Sequence, residues 1–98
     1  MGIAYEQLND YLQSIIPIKT LTGSIPTSSW VKVEDENLYK YSIDVSKENI
    51  SSYSKIDLDL RIKSDSLNGV MFDSELVNNS INIYIDEVLD YVYTIRLY

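Results

Sequence analysis

The stretch KIDLDLRIK, residues 55–63, decides the fold that this sequence predicts. Aliphatic residues occupy every second position, and charged residues fill the positions between them: Ile56, Leu58, Leu60 and Ile62 alternate with Asp57, Asp59, Arg61 and Lys63. Successive side chains of a β-strand point to opposite faces of the sheet. The alternation therefore predicts a strand with one buried face and one solvated face.

Outward from this stretch, several other segments show the same period of two. Residues 39–45 and 80–86 alternate apolar with polar side chains, and residues 91–98 are apolar on both faces. Residues 30–33 and 70–72 are two shorter candidates, the second following an Asn68-Gly69 turn signal. About six short strands separated by turn signals predict a mainly β chain whose residues 30–98 form a small antiparallel β-sandwich or barrel.

The N-terminal segment has a helical period instead. Residues 1–17 carry apolar side chains at spacings of four and three, and Pro17 supplies a stop signal. Such an amphipathic helix either self-associates or anchors the chain through a seam, or packs on its own domain, and the pattern leaves both open. The seam residues, which we predict to serve oligomerisation or anchoring, are Met1, Tyr5, Leu8, Leu12 and Ile15.

Residues 18–29 have the composition of a linker. Gly23 and Pro26 interrupt a run of serines and threonines, which is typical of an irregular connection. The only tryptophan of the chain, Trp30, follows directly. We therefore predict that Trp30 is an apolar anchor in the core at the entrance to the β-domain.

Composition limits the chemistry that the chain can carry. Its 98 residues suit one small domain, and they include no cysteine and no histidine. The usual general base of hydrolases and the usual nitrogen and sulfur ligands of transition metals are therefore missing. We expect no enzymatic activity, no catalytic residues, no metal site and no cofactor.

The charge of the chain limits its partners. The formal net charge is −7 and the isoelectric point is near 4.3, so nucleic acid phosphates and anionic lipid surfaces should repel the chain. No apolar run reaches the length of a transmembrane helix, and the first residues do not read as a signal peptide. We expect protein partners, and neither nucleic acid nor a membrane.

Acidic residues cluster in two segments between predicted strands. Glu34, Asp35 and Glu36 belong to the first, and Asp86, Glu87 and Asp90 belong to the second. Calcium binding or paired-carboxylate catalysis would need these oxygens to converge, which spacing alone does not show. We interpret both segments as solvated turns.

The order of these features resembles a β-domain family of tailed bacteriophages, found in head fibres, tail fibres and baseplate-associated proteins. The resemblance lies in the TLTGSIPTSSW lead-in that ends at Trp30, then YKYSIDV, KIDLDLRI, SINIYI and the final VYTIRLY. It covers about residues 21–98. The chain departs from the family at Ile85-Asp86-Glu87-Val88, where alanine and a later proline are usual.

The resemblance implies a structural protein of the virion: a head fibre, a capsid decoration protein or a tail-associated protein. It implies a homo-oligomer, often a trimer, in contact with a larger virion protein. The alternative is a small acidic inhibitor that mimics DNA and occupies a host enzyme that binds nucleic acid. A mimic would array its carboxylates in rows along one face, whereas here they alternate within strands and cluster at turns.

Overall fold

A computed structural model describes residues 16–98 of the chain. These residues form eight β-strands and three short 3₁₀ turns, without an α-helix. The strands are β1 (Lys19–Ile25), β2 (Val31–Lys32), β3 (Tyr39–Asp44), β4 (Ile56–Ile62), β5 (Asp65–Gly69), β6 (Asp73–Val77), β7 (Ser80–Ile85) and β8 (Tyr91–Leu97). The 3₁₀ turns are Thr27–Ser29, Ser46–Glu48 and Ile50–Ser52.

The strands make two four-stranded antiparallel sheets that pack as a sandwich. Sheet 1 has the order β1-β8-β4-β5, and sheet 2 has the order β2-β3-β7-β6. The hairpins β2-β3, β4-β5 and β6-β7 each stay within one sheet, while the connections between them cross to the other sheet. The prediction of a mainly β fold is confirmed, and the architecture is a sandwich with eight strands rather than about six.

The alternating segments supply the core. In sheet 1, Leu60 of β4 and Ile95 and Leu97 of β8 belong to one buried cluster, and in sheet 2 the aliphatic face of β7 completes it. Burying apolar area of this kind stabilises the fold by roughly 25 cal/mol per Å². The buried apolar residues are Ile25, Trp30, Ile43, Val45, Leu60, Ile81, Ile83, Ile85, Tyr91, Ile95 and Leu97.

The prediction of a linker over residues 18–29 is wrong. Residues Lys19–Ile25 form edge strand β1, which pairs with β8 along its whole length, from Lys19 opposite Leu97 to Ile25 opposite Tyr91. The segment has a connector's composition because an edge strand in this position buries little: only Ile25 is fully buried. The sandwich therefore begins before residue 30, and Trp30 lies inside it rather than at its entrance.

The short strand predicted at residues 70–72 is also wrong. These residues connect β5 to β6, and the Asn68-Gly69 signal falls within β5 instead of before a strand. Strands β5 and β6 are exposed along their whole length, so they lack the alternation of buried and solvated positions that marks β4. Backbone pairing rather than side-chain burial defines them.

The predicted helix of residues 1–17 lies, except for Ile16 and Pro17, outside the described residues. Within residues 16–98, no helix is long and apolar enough to cross a membrane.

Candidate protein-interaction surfaces

The sandwich is incomplete along one side, which we call the open edge. Strand β5 pairs with β4 only at Arg61 and Ile62, where the register shifts. The first half of β4 therefore has β8 on one side and no strand on the other. A groove of about 250 Å³ opens there between the two sheets, and its walls are Ile56, Leu58, Phe72, Ser74, Glu75, Leu76 and Ile81.

Some backbone N–H and C=O groups of β4 point toward the groove and away from β8. The C=O of Leu60 accepts a 2.9 Å hydrogen bond from the N–H of Val70, so it points away from β8. Backbone groups alternate sides along a strand, and those of Ile56 and Leu58 consequently point the same way. Within residues 16–98 they have no backbone partner. An edge of this kind is a ready site for association with another chain.

Exposed apolar side chains lie on β5, on β6 and in the connection between them. Met71 is 95% exposed and Leu67 is 89% exposed, and on edge strand β6 the corresponding values are 50% for Leu76 and 43% for Val77. These four account for most of the large, strongly exposed hydrophobic residues in the described part of the chain. Leu76 lines the groove, while Met71 lines a neighbouring depression with Leu38 and Phe72. Exposed apolar surface is typical of a region that another molecule covers.

The two acidic segments lie together at one end of the sandwich, which we call the acidic end. The β2-β3 turn carries Glu34, Asp35 and Glu36, and the β7-β8 loop carries Asp86, Glu87 and Asp90. Tyr39 pairs with Ile85, which places the two segments side by side, and Lys32 lines a depression of about 490 Å³ with Asp86 and Glu87. The prediction that both segments are exposed turns is confirmed.

The opposite end of the sandwich carries lysines and carboxylates together, with Asp44 and Glu48 beside three lysines. Lys19 begins β1 and pairs with Glu48, while Lys47 and Lys55 lie in the long β3-β4 connection. The hydrogen bond from Lys19 to Glu48 raises the pKa of the lysine, although both groups are accessible to water. The molecule is therefore electrically asymmetric, and a basic partner would be attracted to the acidic end.

A polar network covers the outer face of sheet 2. The phenol of Tyr84 donates a 2.7 Å hydrogen bond to Oε1 of Glu75, and Nδ2 of Asn82 donates to the same oxygen over 3.2 Å. Ser42 donates through Oγ to Oδ1 of Asn82 at 2.6 Å. The bonds from Tyr84 and Asn82 lower the pKa of Glu75, and the bond to Glu75 raises the pKa of Tyr84. Asn82 is only 6% exposed because its neighbours cover it.

Ion pairs neutralise the carboxylates on the outer face of sheet 1. Nε of Arg61 lies 2.6 Å from Oδ2 of Asp59, and Nη1 of Arg96 lies 3.5 Å from Oδ2 of Asp57. This face therefore presents no row of free carboxylates along β4. Among residues 16–98, no three acidic side chains converge closely enough to hold a metal ion.

Trp30 lies in the core, where its indole meets two aromatic rings. Its centroid is 5.5 Å from that of Tyr91 in an edge-to-face arrangement, and 5.8 Å from that of Tyr41 with a tilt of 58°. The phenol of Tyr91 donates to the backbone C=O of Glu87, and burial raises its pKa. Nε1 of Trp30 is buried without a hydrogen-bond partner among the described residues. Its role is packing.

The remaining site residues that we predicted from the sequence, Met1, Tyr5, Leu8, Leu12 and Ile15, lie outside the described residues.

Sequence reasoning missed the open edge. Leu67, Met71 and Leu76 stand among polar residues without a helical or alternating period, so no periodic pattern identifies them as a surface. Their exposure and the short pairing of β5 are seen only in the structure.

Comparison of the chain with models of protein families, with curated proteins and with solved structures finds no match.

Proposed function

We propose that this chain is a non-enzymatic structural protein of a tailed-bacteriophage virion: a head fibre, a capsid decoration protein or a tail-associated protein. In this proposal it self-associates through residues 1–15, as a trimer if it follows the resembling family, and contacts a larger virion protein. Its partners are proteins rather than nucleic acid or membrane, and it needs no cofactor.

The observation that carries this proposal is the exposed apolar surface of the open edge. Leu76 is 50% exposed in the wall of a groove that Ile56 and Leu58 also line, and Met71 is 95% exposed next to Phe72 of that wall. A domain of this size gains stability when a second chain covers such a surface. An assembly subunit needs a surface of this kind on every copy.

The resemblance supports the same proposal, because its motifs fall on the elements that build the sandwich. YKYSIDV covers β3, KIDLDLRI covers β4, SINIYI is β7 and VYTIRLY covers β8. The lead-in covers most of β1 and ends at Trp30 in the core. The acidic end offers the larger virion protein a docking surface if that protein is basic at the contact.

Mass spectrometry of purified virions tests the proposal. We expect the chain in a fixed ratio to the major capsid or tail protein, and its absence from virions would overturn the structural assignment. The contribution of the acidic end is tested with Asp86→Asn/Glu87→Gln, which should reduce incorporation. The matched control is Asp57→Asn/Asp59→Asn, which removes the same charge from the ion-paired outer face of sheet 1.

The acidic end also favours a second candidate function. Six carboxylates at one end of a small domain could bind the basic site of a host enzyme that acts on nucleic acid. The ion-paired Asp57 and Asp59 do not fit a phosphate-like row along the strand face. The inhibitor hypothesis predicts that the purified chain slows DNA cleavage by a host nuclease, and that Asp86→Asn/Glu87→Gln relieves this inhibition.

A further inference from the structure

We infer that the groove of the open edge receives the apolar seam of residues 1–15 from a second copy of this chain. The inference rests on the self-association proposed above, and it names the surface that the seam contacts. The sequence gives the seam one apolar face, with Leu8 and Leu12 near its middle. The structure gives the sandwich one apolar groove at an unpaired strand edge.

The groove and the seam match in chemistry, and the seam is long enough to cover the groove. Aliphatic side chains of Ile56, Leu58 and Leu76 line the groove, and Ser74 and Glu75 add polar groups. The unpaired half of β4, from Ile56 to Asp59, extends for about 13 Å. As a helix, residues 1–15 would extend for about 22 Å, so a helix lying along β4 would cover this half and continue beyond it.

The position where the chain joins the sandwich favours exchange between copies. The N–H of Ile18 donates a 2.7 Å hydrogen bond to the C=O of Leu97, so Ile18 is fixed at the start of β1. Only Ile16 and Pro17 separate it from Ile15, and three residue steps span at most about 11 Å. The groove lies beyond β4, and β4 is two strand spacings, about 10 Å, away from β1.

A seam that occupied its own groove would therefore require a fully extended hinge from Ile15 to Ile18. Pro17 fixes its own φ and disfavours the helical region for Ile16, which limits how the hinge can turn. Short, constrained hinges favour exchange of an element between identical chains. Ile16 is 60% exposed and Ile18 is 75% exposed, so the hinge itself adds apolar surface for a neighbouring copy to cover.

Subunit complementation tests the contact. Leu8→Asp places a charge in the seam, and Leu76→Asp places one in the groove wall. We expect each variant to be a monomer by light scattering, while an equimolar mixture regains a two-chain species because the seam of one variant meets the groove of the other. A mixture that stays monomeric, or a Leu76→Asp variant with the mass of the unmodified chain, would overturn the inference.

Matched controls exclude misfolding and a general charge effect. Val77→Asp is the control for the groove, because Val77 follows Leu76 on β6 with similar exposure but lies on the opposite face. Asn9→Asp is the control for the seam, because Asn9 is not one of the seam residues. Both should keep the native mass. If Leu8→Asp dissociates the chain but Leu76→Asp does not, the self-association of the proposed function stands and the groove is the wrong receptor.

Disulfide trapping then identifies which copy supplies the seam. The chain has no cysteine, so Leu8→Cys and Leu76→Cys can be introduced together without competing thiols. We expect a covalent oligomer on a non-reducing gel, and no such product when Val77→Cys replaces Leu76→Cys. A disulfide within one chain would show that the seam occupies its own groove, and the exchange between copies would then be wrong.

Discussion

The ring of Tyr93 lies directly over the backbone of Gly23, its registered partner on the neighbouring strand. A Cβ atom added to Gly23 would come within 2.5 Å of Cζ and Cε2 of this ring, closer than non-bonded carbon atoms approach. The tyrosine thus fills the space that glycine leaves on the inner face of edge strand β1, a known way to support a glycine in a sheet. Burial raises the pKa of Tyr93.

We expect Gly23→Ala to destabilise the sandwich by about 1–3 kcal/mol, because the added methyl group must displace the ring of Tyr93. Urea unfolding measures this loss. Gly69→Ala is the control, since a Cβ there meets only Oδ1 of Asp59 at 4.0 Å, and it should change the unfolding free energy by less than about 0.5 kcal/mol. Equal effects of the two substitutions would contradict the role of Tyr93.

The aromatic contacts of Trp30 lead to a prediction about its size and its N–H group. Trp30→Ala should cost about 3–5 kcal/mol, because it empties the space beside Tyr41 and Tyr91. Trp30→Phe keeps a ring in the core and removes a buried N–H that has no partner within residues 16–98, a group whose burial costs about 1–3 kcal/mol. It should therefore cost at least about 2 kcal/mol less than the alanine substitution.

Urea unfolding followed by far-ultraviolet circular dichroism measures both Trp30 variants, since each lacks the only tryptophan that fluorescence could follow. If Trp30→Phe costs as much as Trp30→Ala, Nε1 makes a hydrogen bond that stabilises the fold, and the packing role assigned to Trp30 is incomplete.

The network around Glu75 predicts a dependence of stability on pH. Its pKa is lowered in the folded chain by hydrogen bonds, first from Tyr84 and then from Asn82. The ionised Glu75 therefore contributes to the free energy of unfolding above its unfolded-state pKa of about 4.3. This contribution is lost as the pH falls through the folded-state pKa. Between about pH 5 and pH 3 the unmodified chain should lose unfolding free energy more steeply than Glu75→Gln.

The variant Tyr84→Phe tests whether the hydrogen bond from Tyr84 lowers the pKa of Glu75. Removing the phenol hydroxyl should raise the pKa of Glu75 toward its ordinary value, as followed by carboxyl NMR shifts during an acid titration. Tyr39→Phe is the control, because Tyr39 lies on β3, which β7 separates from Glu75 on β6. An unchanged pKa in Tyr84→Phe would show that the hydrogen bond does not act on the carboxylate.

Side-chain burial decides which parts of the fold can be predicted from the sequence. The bounds of β4 and the inner faces of β3 and β7 follow from alternation, because one face of each strand carries the buried aliphatic residues. The sequence of β1 predicts a linker because Gly23 stands where an inward side chain would reveal the alternation of a strand. The ring that covers Gly23 belongs to Tyr93, 70 residues later. A local pattern does not contain that contact.

The same reasoning applies to the candidate sites. The two acidic turns could be predicted because charged turns between strands are visible as local runs, such as Glu34 to Glu36. That they meet at one end could not, because it follows from the pairing of Tyr39 with Ile85. The open edge could not, because it depends on where β5 stops pairing with β4, near Arg61. Pairing length is a property of two strands and their bulge, and neither strand encodes it alone.

Arg61 holds β5 against β4, and this leads to the last prediction. Its Nε donates to Asp59, and its Nη1 donates a 2.9 Å hydrogen bond to the backbone C=O of Ser66. A lysine cannot reproduce the two directions of the guanidinium. Arg61→Lys should therefore speed amide hydrogen exchange in Asp65–Gly69 while changing the global unfolding free energy by less than about 1 kcal/mol. The control is Arg96→Lys. Arg96 lies on β8, on the side of β4 away from β5, and its Nη1 is 3.5 Å from Oδ2 of Asp57. This substitution should leave exchange in β5 unchanged. Equal exchange rates in the two variants would show that Arg61 does not hold β5.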